Sequence, residues 1–176
     1  MPTAEKTVIA GLGNATHPRT FHSVGQLVLK HLAQRRHLQW NSNTKHGVSY
    51  THINSHTDLI YSHQLMNVCG KSLARYCEHV NARRVLVLHD DLQREWGKLS
   101  IKHGGSANGH NGIKSLSQYL KQSLDFDRIR IGIGRPGDKR DVARYVLSNL
   151  SPEQLHDITD GLLYTHIERV LEGYME

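Results

Sequence analysis

Two cysteines in 176 residues are too few for a disulfide framework. Cys69 and Cys77 stand on one expected helix, too far apart along it to bridge, and read as reduced thiols of an intracellular protein. No C-x-x-C or H-E-x-x-H pattern occurs, so no metal is expected. No apolar run approaches the ~20 residues that a membrane span requires. Met1 to Lys6 is too short and too polar for a secretory signal, and no transit peptide is visible. A nucleophilic serine in Gly-x-Ser-x-Gly is missing and neither cysteine neighbours a base, which disfavours a covalent intermediate. Gly11-Leu12-Gly13 lacks the third glycine and the ribose-binding acid of a dinucleotide fingerprint. Acidic residues are outnumbered, 16 against 22 basic, giving a net charge of +6 and a pI of about 9.4. That balance favours an anionic partner, of which nucleic acid is the commonest. The 14 histidines read mostly as solvated surface residues.

What is present is an ordinary soluble composition, 38% hydrophobic and 22% charged, long enough for one well-filled core. Strand and helix patterns alternate. Val8 to Ala10 reads as a short strand. Phe21 to Arg36 is an expected helix with Val24, Leu27, Val28, His31 and Leu32 on one face. Val48 with Tyr50 and Leu59-Ile60-Tyr61 suggest a hairpin. A helix from Asn67 to His79 buries Cys69, Leu73, Tyr76 and Val80. Val85-Leu86-Val87-Leu88 is the signature of a strand covered on both faces. Leu99 with Ile101, and Ile129, Ile131 and Ile133, alternate with polar residues as strands do. Helices are expected from Asn111 to Tyr119, from Val142 to Leu147, and from a Ser151-Pro152-Glu153-Gln154 capping box to the C-terminus, striped by Leu155, Ile158, Leu162 and Val170. The whole reads as a single three-layer αβα domain, residues 1–176, with a twisted mixed, largely parallel sheet.

In such sheets, sites form beyond the carboxyl ends of the strands. Asn14, Asp90 and the Gly134-Arg135-Pro136-Gly137 turn all fall there. So does the loop Gly104-Gly105-Ser106-Ala107-Asn108-Gly109-His110-Asn111-Gly112, whose glycines let backbone approach a ligand closely. His22 is either an exposed histidine at a helix start or a general base near working pH, with the helix N-terminus lowering its pKa slightly. Asp90 is either a turn residue or the carboxylate that orients an imidazole; Asp91 points the other way. Asn14, Asn67 and Asn111 are singly N-cap or turn residues, and as a set are neutral donors and acceptors for a peptide or an oxyanion. Arg128, Arg130, Lys98 and Lys102 face solvent as a solubilising surface or as a phosphate clamp.

Gly11-Leu12-Gly13-Asn14, Met66-Asn67, His89-Asp90-Asp91-Leu92, Gly109-His110-Asn111-Gly112 and Arg130-Ile131-Gly132-Ile133-Gly134-Arg135-Pro136-Gly137 occur in the order seen in the bacterial-type peptidyl-tRNA hydrolases. From Val8 to Leu150 the chain resembles that family. The resemblance implies hydrolysis of the ester joining a peptide to the 3′ ribose of tRNA. It implies a base at His22 held by Asp90, and binding of the peptide and the tRNA 3′ end by Asn14, Asn67 and Asn111, with His110 counted among the substrate-binding residues near the site. It implies no metal and no organic cofactor. The family's Thr-Arg-His-Asn is here Thr20-Phe21-His22-Ser23, and the Asn14–His22 segment is two residues short and lacks a customary tyrosine. The family's phosphate clamp matches Arg130, but its lysine falls at Ser100, where Lys98 and Lys102 on the same face substitute. These departures suggest a eukaryotic member of cytosol or mitochondrion. A monomer acting on the acceptor end of peptidyl-tRNA, away from membranes, is expected. The alternatives are a non-catalytic RNA-binding relative acting in RNA processing and a nucleotide-binding oxidoreductase or kinase-like module.

Overall fold

The structure is a computed structural model that describes residues 5–104, 106–121 and 125–176; Gly105 of the glycine-rich loop lies outside them. Among the described residues, seven strands form one sheet: β1 (Lys6–Gly11), β2 (Asn41–Asn43), β3 (Val48–His52), β4 (Thr57–Ser62), β5 (Ala82–Asp91), β6 (Leu99–His103) and β7 (Asp125–Gly132). Their spatial order is β2-β3-β4-β1-β5-β7-β6. The central four are mutually parallel; β3 and β6 run against them at the two sides, and β2 pairs antiparallel with β3. The same described residues form six α-helices: α1 (Val24–Arg35), α2 (Gly70–His79), α3 (Asn111–Tyr119), α4 (Val142–Val146), α5 (Pro152–Thr159) and α6 (Leu162–Met175).

Alternation along the central strands separates two cores. Ile9, Leu86, Leu88, Ile129 and Ile131 point to the face covered by α1, α4, α5 and α6. Val8, Ala10, Val85 and Val87 point to the face covered by α2 and α3. A strand wedged between two helical layers must be apolar on both sides, which is why Val85–Leu88 shows no polar alternation. Helix α1 presses hard on this sheet. A Cβ at Gly25 would come within 2.2 Å of the Leu88 carbonyl oxygen, so only glycine permits the approach.

The expected αβα architecture and the hairpin of β3 and β4 are present. Three details differ. Strand β2, Asn-Ser-Asn, carries no apolar period and was not foreseen. The expected helix at Phe21 opens as a 3-10 turn, Phe21–Ser23, and its inner face gains Leu29 and Ala33, while His31 is only half-buried. The last expected helix is two. It breaks at Asp160 and Gly161, where the Asp157 carboxylate accepts from the Leu163 amide and starts α6 in a new register. Leu163, Ile167 and Leu171 therefore face inward, and Leu162 is 75% exposed.

At the amino ends of the strands two buried carboxylates act as ties. Asp58 of β4 accepts from Lys6 of β1 at 2.9 Å, His52 of β3 at 2.6 Å and the Tyr76 hydroxyl of α2 at 2.8 Å. Asp127 of β7 accepts from His103 of β6 at 2.6 Å and the Tyr174 hydroxyl of α6 at 2.9 Å. Cys69 and Cys77 are free and buried, and burial pushes both thiols up to about 12, leaving them inert at neutral pH.

Candidate active site

The chain crosses from one side of β1 to the other: after α1 it runs through β2 and β3 to β4 on one flank, and α2 leads from β4 to β5 on the other. A crevice opens at such a reversal. A cleft of about 790 Å³ lies there, lined among others by Asn14, His22, Asn67, Asp90, His110 and Asn111. Six expected site residues from five separate segments thus meet in one place.

The segment after β1 is rigidly set. Ser23 Oγ accepts from the Asn14 amide at 2.9 Å and donates back to the Asn14 carbonyl at 3.3 Å. The Asn14 side chain is buried, and its Oδ1 accepts from the Met66 amide at 2.7 Å. That bond ties the loops after β1 and β4 and leaves the Asn14 nitrogen as the free donor of this amide. Asn67 follows within a 3-10 turn, and both Asn67 and Asn111 are exposed on the cleft wall.

Asp90, at the end of β5, is 3% exposed and receives two imidazoles. His22 Nδ1 donates to Oδ2 at 2.8 Å, and His110 Nε2 donates to Oδ1 at 2.8 Å. The tautomer of His110 is fixed from its other side. Its Nδ1 accepts from the Ile113 amide at 3.2 Å and caps α3, so the proton must sit on Nε2. Both ring nitrogens are thus engaged within the protein, while His110 still lines the cleft. Burial alone would raise the Asp90 pKa, but His110 and then His22 hold it well below the usual carboxylate range. The carboxylate is therefore ionised, His22 carries its proton on Nδ1, and its Nε2 is left with a lone pair.

Burial alone would lower the His22 pKa, but the charge of Asp90 and the hydrogen bond to it outweigh burial and leave it above 6.5. The small downward shift expected from a helix N-terminus is thus reversed, because a carboxylate in direct contact acts more strongly than partial charges on a helix end.

His22, Asp90 and His110 offer ligand atoms within 4.8 Å of one another, the composition of a metal site. The tautomers argue against one. A cation on His110 Nε2 would need the proton moved to Nδ1, where it would face the Ile113 amide hydrogen and uncap α3.

Two residues beside the site take parts that the sequence did not suggest. His89 is 3% exposed and donates from Nδ1 to the Asp90 carbonyl at 2.8 Å, while its buried Nε2 has no partner among the described residues. Burial first, then His110, lower its pKa to about 3, so it is neutral. Arg128 was expected to face solvent and instead is 1% exposed. It donates to the Gly104 carbonyl at 3.2 Å and the Ser106 carbonyl at 3.0 Å and so straps down the loop that carries His110. An arginine alternating with isoleucine reads as surface; only the loop that folds back over β7 buries it.

Arg130, Arg135 and Lys139 line the cleft. Arg130 Nε donates to Ser100 Oγ at 2.8 Å, across the antiparallel pair of β6 and β7. Lys98 and Lys102 lie on the β6 side and are not among the lining residues. In chemical terms the cleft holds one oriented imidazole with an open nitrogen, uncharged amides around it, and cations at one edge. That set suits water-mediated cleavage of an acyl bond in a substrate carrying phosphates.

Residues 8–175 match the family described as Peptidyl-tRNA hydrolase. The chain is 38% identical over 161 residues to the peptidyl-tRNA hydrolase of Bacillus subtilis, covering 88% of this chain and 85% of that protein. It is 35% identical over 182 aligned residues to a probable peptidyl-tRNA hydrolase of Mus musculus, covering 96% and 89%. A crystal structure of a peptidyl-tRNA hydrolase variant from Acinetobacter baumannii superposes with a TM-score of 0.81 at 25% identity, covering 99% of this chain and 93% of that one. Among the described residues, no helix is long and apolar enough to cross a membrane.

Proposed function

Because the chain belongs to the peptidyl-tRNA hydrolase family and hydrolyses the ester between a peptide and tRNA, we propose that His22 is its general base and Asp90 the group that orients it. The observation that carries this reading is the Asp90–His22 hydrogen bond, which fixes the proton on Nδ1 and leaves Nε2 of a cleft-lining imidazole open. A water held by Nε2 gives up its proton and attacks the ester carbonyl. The negative charge on the former carbonyl oxygen is met by amide donors of Asn14, Asn67 and Asn111. The ester bond breaks, and the 3′ oxygen of the ribose takes the proton back from the imidazolium. Asp90 stays ionised throughout. His110 acts through Asp90.

Arg130 meets a phosphate of the acceptor end at the cleft, and Lys98 and Lys102 extend that positive surface along β6. The protein works as a monomer in cytosol or mitochondrion, recycling tRNA for translation, without a metal or organic cofactor. The non-catalytic RNA-binding alternative is set aside, since membership of the hydrolase family supplies the activity.

The test is peptide release from N-acetyl-aminoacyl-tRNA by wild type and His22→Ala, with tRNA binding followed in parallel. Loss of an acid–base group costs ~10²–10⁴ in rate, so turnover should collapse while binding persists. A variant that turns over at nearly the normal rate overturns the assignment of the base.

A further inference from the structure

Part of the cleft lining is apolar and comes from α4 and the residue after it: Val142, Ala143, Val146 and Leu147, with Leu65 and Met66 from the loop after β4 also among the lining residues. A helix of five residues cannot hold itself in place, because so short a segment barely offsets its nucleation cost. Its anchor is Tyr145. That ring stacks flat on Phe21, with centroids 4.7 Å apart and planes 13° from parallel, and Trp96 meets Phe21 edge-on at 6.2 Å. The Tyr145 hydroxyl donates to the Ile133 carbonyl. Backbone bonds continue the attachment. The Phe21 amide donates to Ser148 at 3.1 Å, the Leu150 amide donates to Arg19 at 2.9 Å, and Thr20 bridges Asn149. Phe21 is 6% exposed and directly precedes His22. One aromatic ring thus joins the segment that bears the imidazole to an apolar wall of the same cleft.

We infer that Phe21 is a positioning residue that determines specificity: by clamping Tyr145 it fixes the α4 wall relative to His22, and so selects a bulky apolar side chain on the peptide residue esterified to tRNA. The inference rests on the reading of this cleft as the place where the ester is cleaved. Phe21 itself reaches no reacting atom. Its effect is on the fit between wall and side chain, where a methylene or two of contact discriminates substrates by roughly ten- to a hundredfold.

The experiment compares N-acetyl-leucyl and N-acetyl-glycyl esters carried on one tRNA body, hydrolysed by wild type, Phe21→Leu and Tyr145→Phe, with thermal melts to confirm folding. Phe21→Leu keeps an apolar filler but loses the stack; Tyr145→Phe keeps the stack but loses the bond to Ile133. Wild type should show the lower KM for the leucyl ester. Phe21→Leu should raise that KM about tenfold, with kcat, its acid limb and the glycyl KM nearly unchanged. Tyr145→Phe should move the leucyl KM the same way by less. Equal KM for both esters in wild type, or equal shifts in the variants, overturns the inference. So does a fall in kcat with a displaced acid limb, which would mean that Phe21 acts on His22. The assignment of His22 as base stands or falls separately, on His22→Ala.

Discussion

Asp90 Oδ1 receives its hydrogen bond from the one nitrogen of His110 able to carry a proton, because the Ile113 amide occupies the other. A buried carboxylate with two such donors shares its charge between them. Replacing His110 by alanine withdraws one donor, which raises the basicity of Asp90 and tightens its hold on His22. The acid limb of kcat/KM should therefore move to higher pH, with a modest loss of rate at its plateau. The lost cap of α3 should also cost about 1 kcal/mol of stability. A pH–rate profile that stays put would show that His110 does not act through Asp90.

Asp90→Asn produces the opposite displacement. With the carboxylate gone, burial is the remaining influence on His22, and its pKa falls below the ordinary value. The acid limb should move down. The plateau should drop by roughly 10²–10⁴, since an amide nitrogen facing Nδ1 drives the imidazole proton onto Nε2 and removes the base. Kinetics across pH 5 to 9 read both effects at once.

Much of this was legible before the structure. Val85–Leu88 announced a two-sided sheet, and His22, Asp90, Asn14, Asn67 and Asn111 do line one cleft. What escaped depended on contacts that no local pattern encodes. The burial of Arg128 follows from a loop folding over β7, and the double engagement of His110 follows from its place at the start of α3. Nothing local marks Asp58 and Asp127 as ties, because histidines and tyrosines that donate to them come from other segments.

His89 makes the fold sensitive to acid. Its pKa is near 3 in the folded chain against an ordinary 6.5, so between those values the unfolded chain takes up a proton that the folded chain refuses. Stability is intact above pH 6.5 and declines as pH falls, by about 1.4 kcal/mol per unit, or roughly 2–3 kcal/mol at pH 4.5. His89→Gln keeps a donor for the Asp90 carbonyl and removes the titration. Denaturant melts from pH 7 to 4.5 should give a shallower decline for the variant. Parallel curves would refute the assignment.

Metal removal offers a further check. Dialysis against a chelator of transition metals that spares magnesium should leave hydrolysis unchanged, because capping of α3 by His110 denies a cation that nitrogen. Activity lost on dialysis and restored by zinc would reverse the argument.

The rim strand β6 has a second consequence. Any outermost strand exposes unpaired amide groups to which another extended segment can zip, and here Ile101 is 47% exposed on it. Lys98 and Lys102 bracket that isoleucine, and two copies approaching edge to edge would bring four ammonium groups together. The lysines assigned to RNA are thus also guards against self-association. Salt screens charge of either kind, so high ionic strength, which would loosen the proposed grip of these lysines on RNA, would also lower the barrier between two β6 edges.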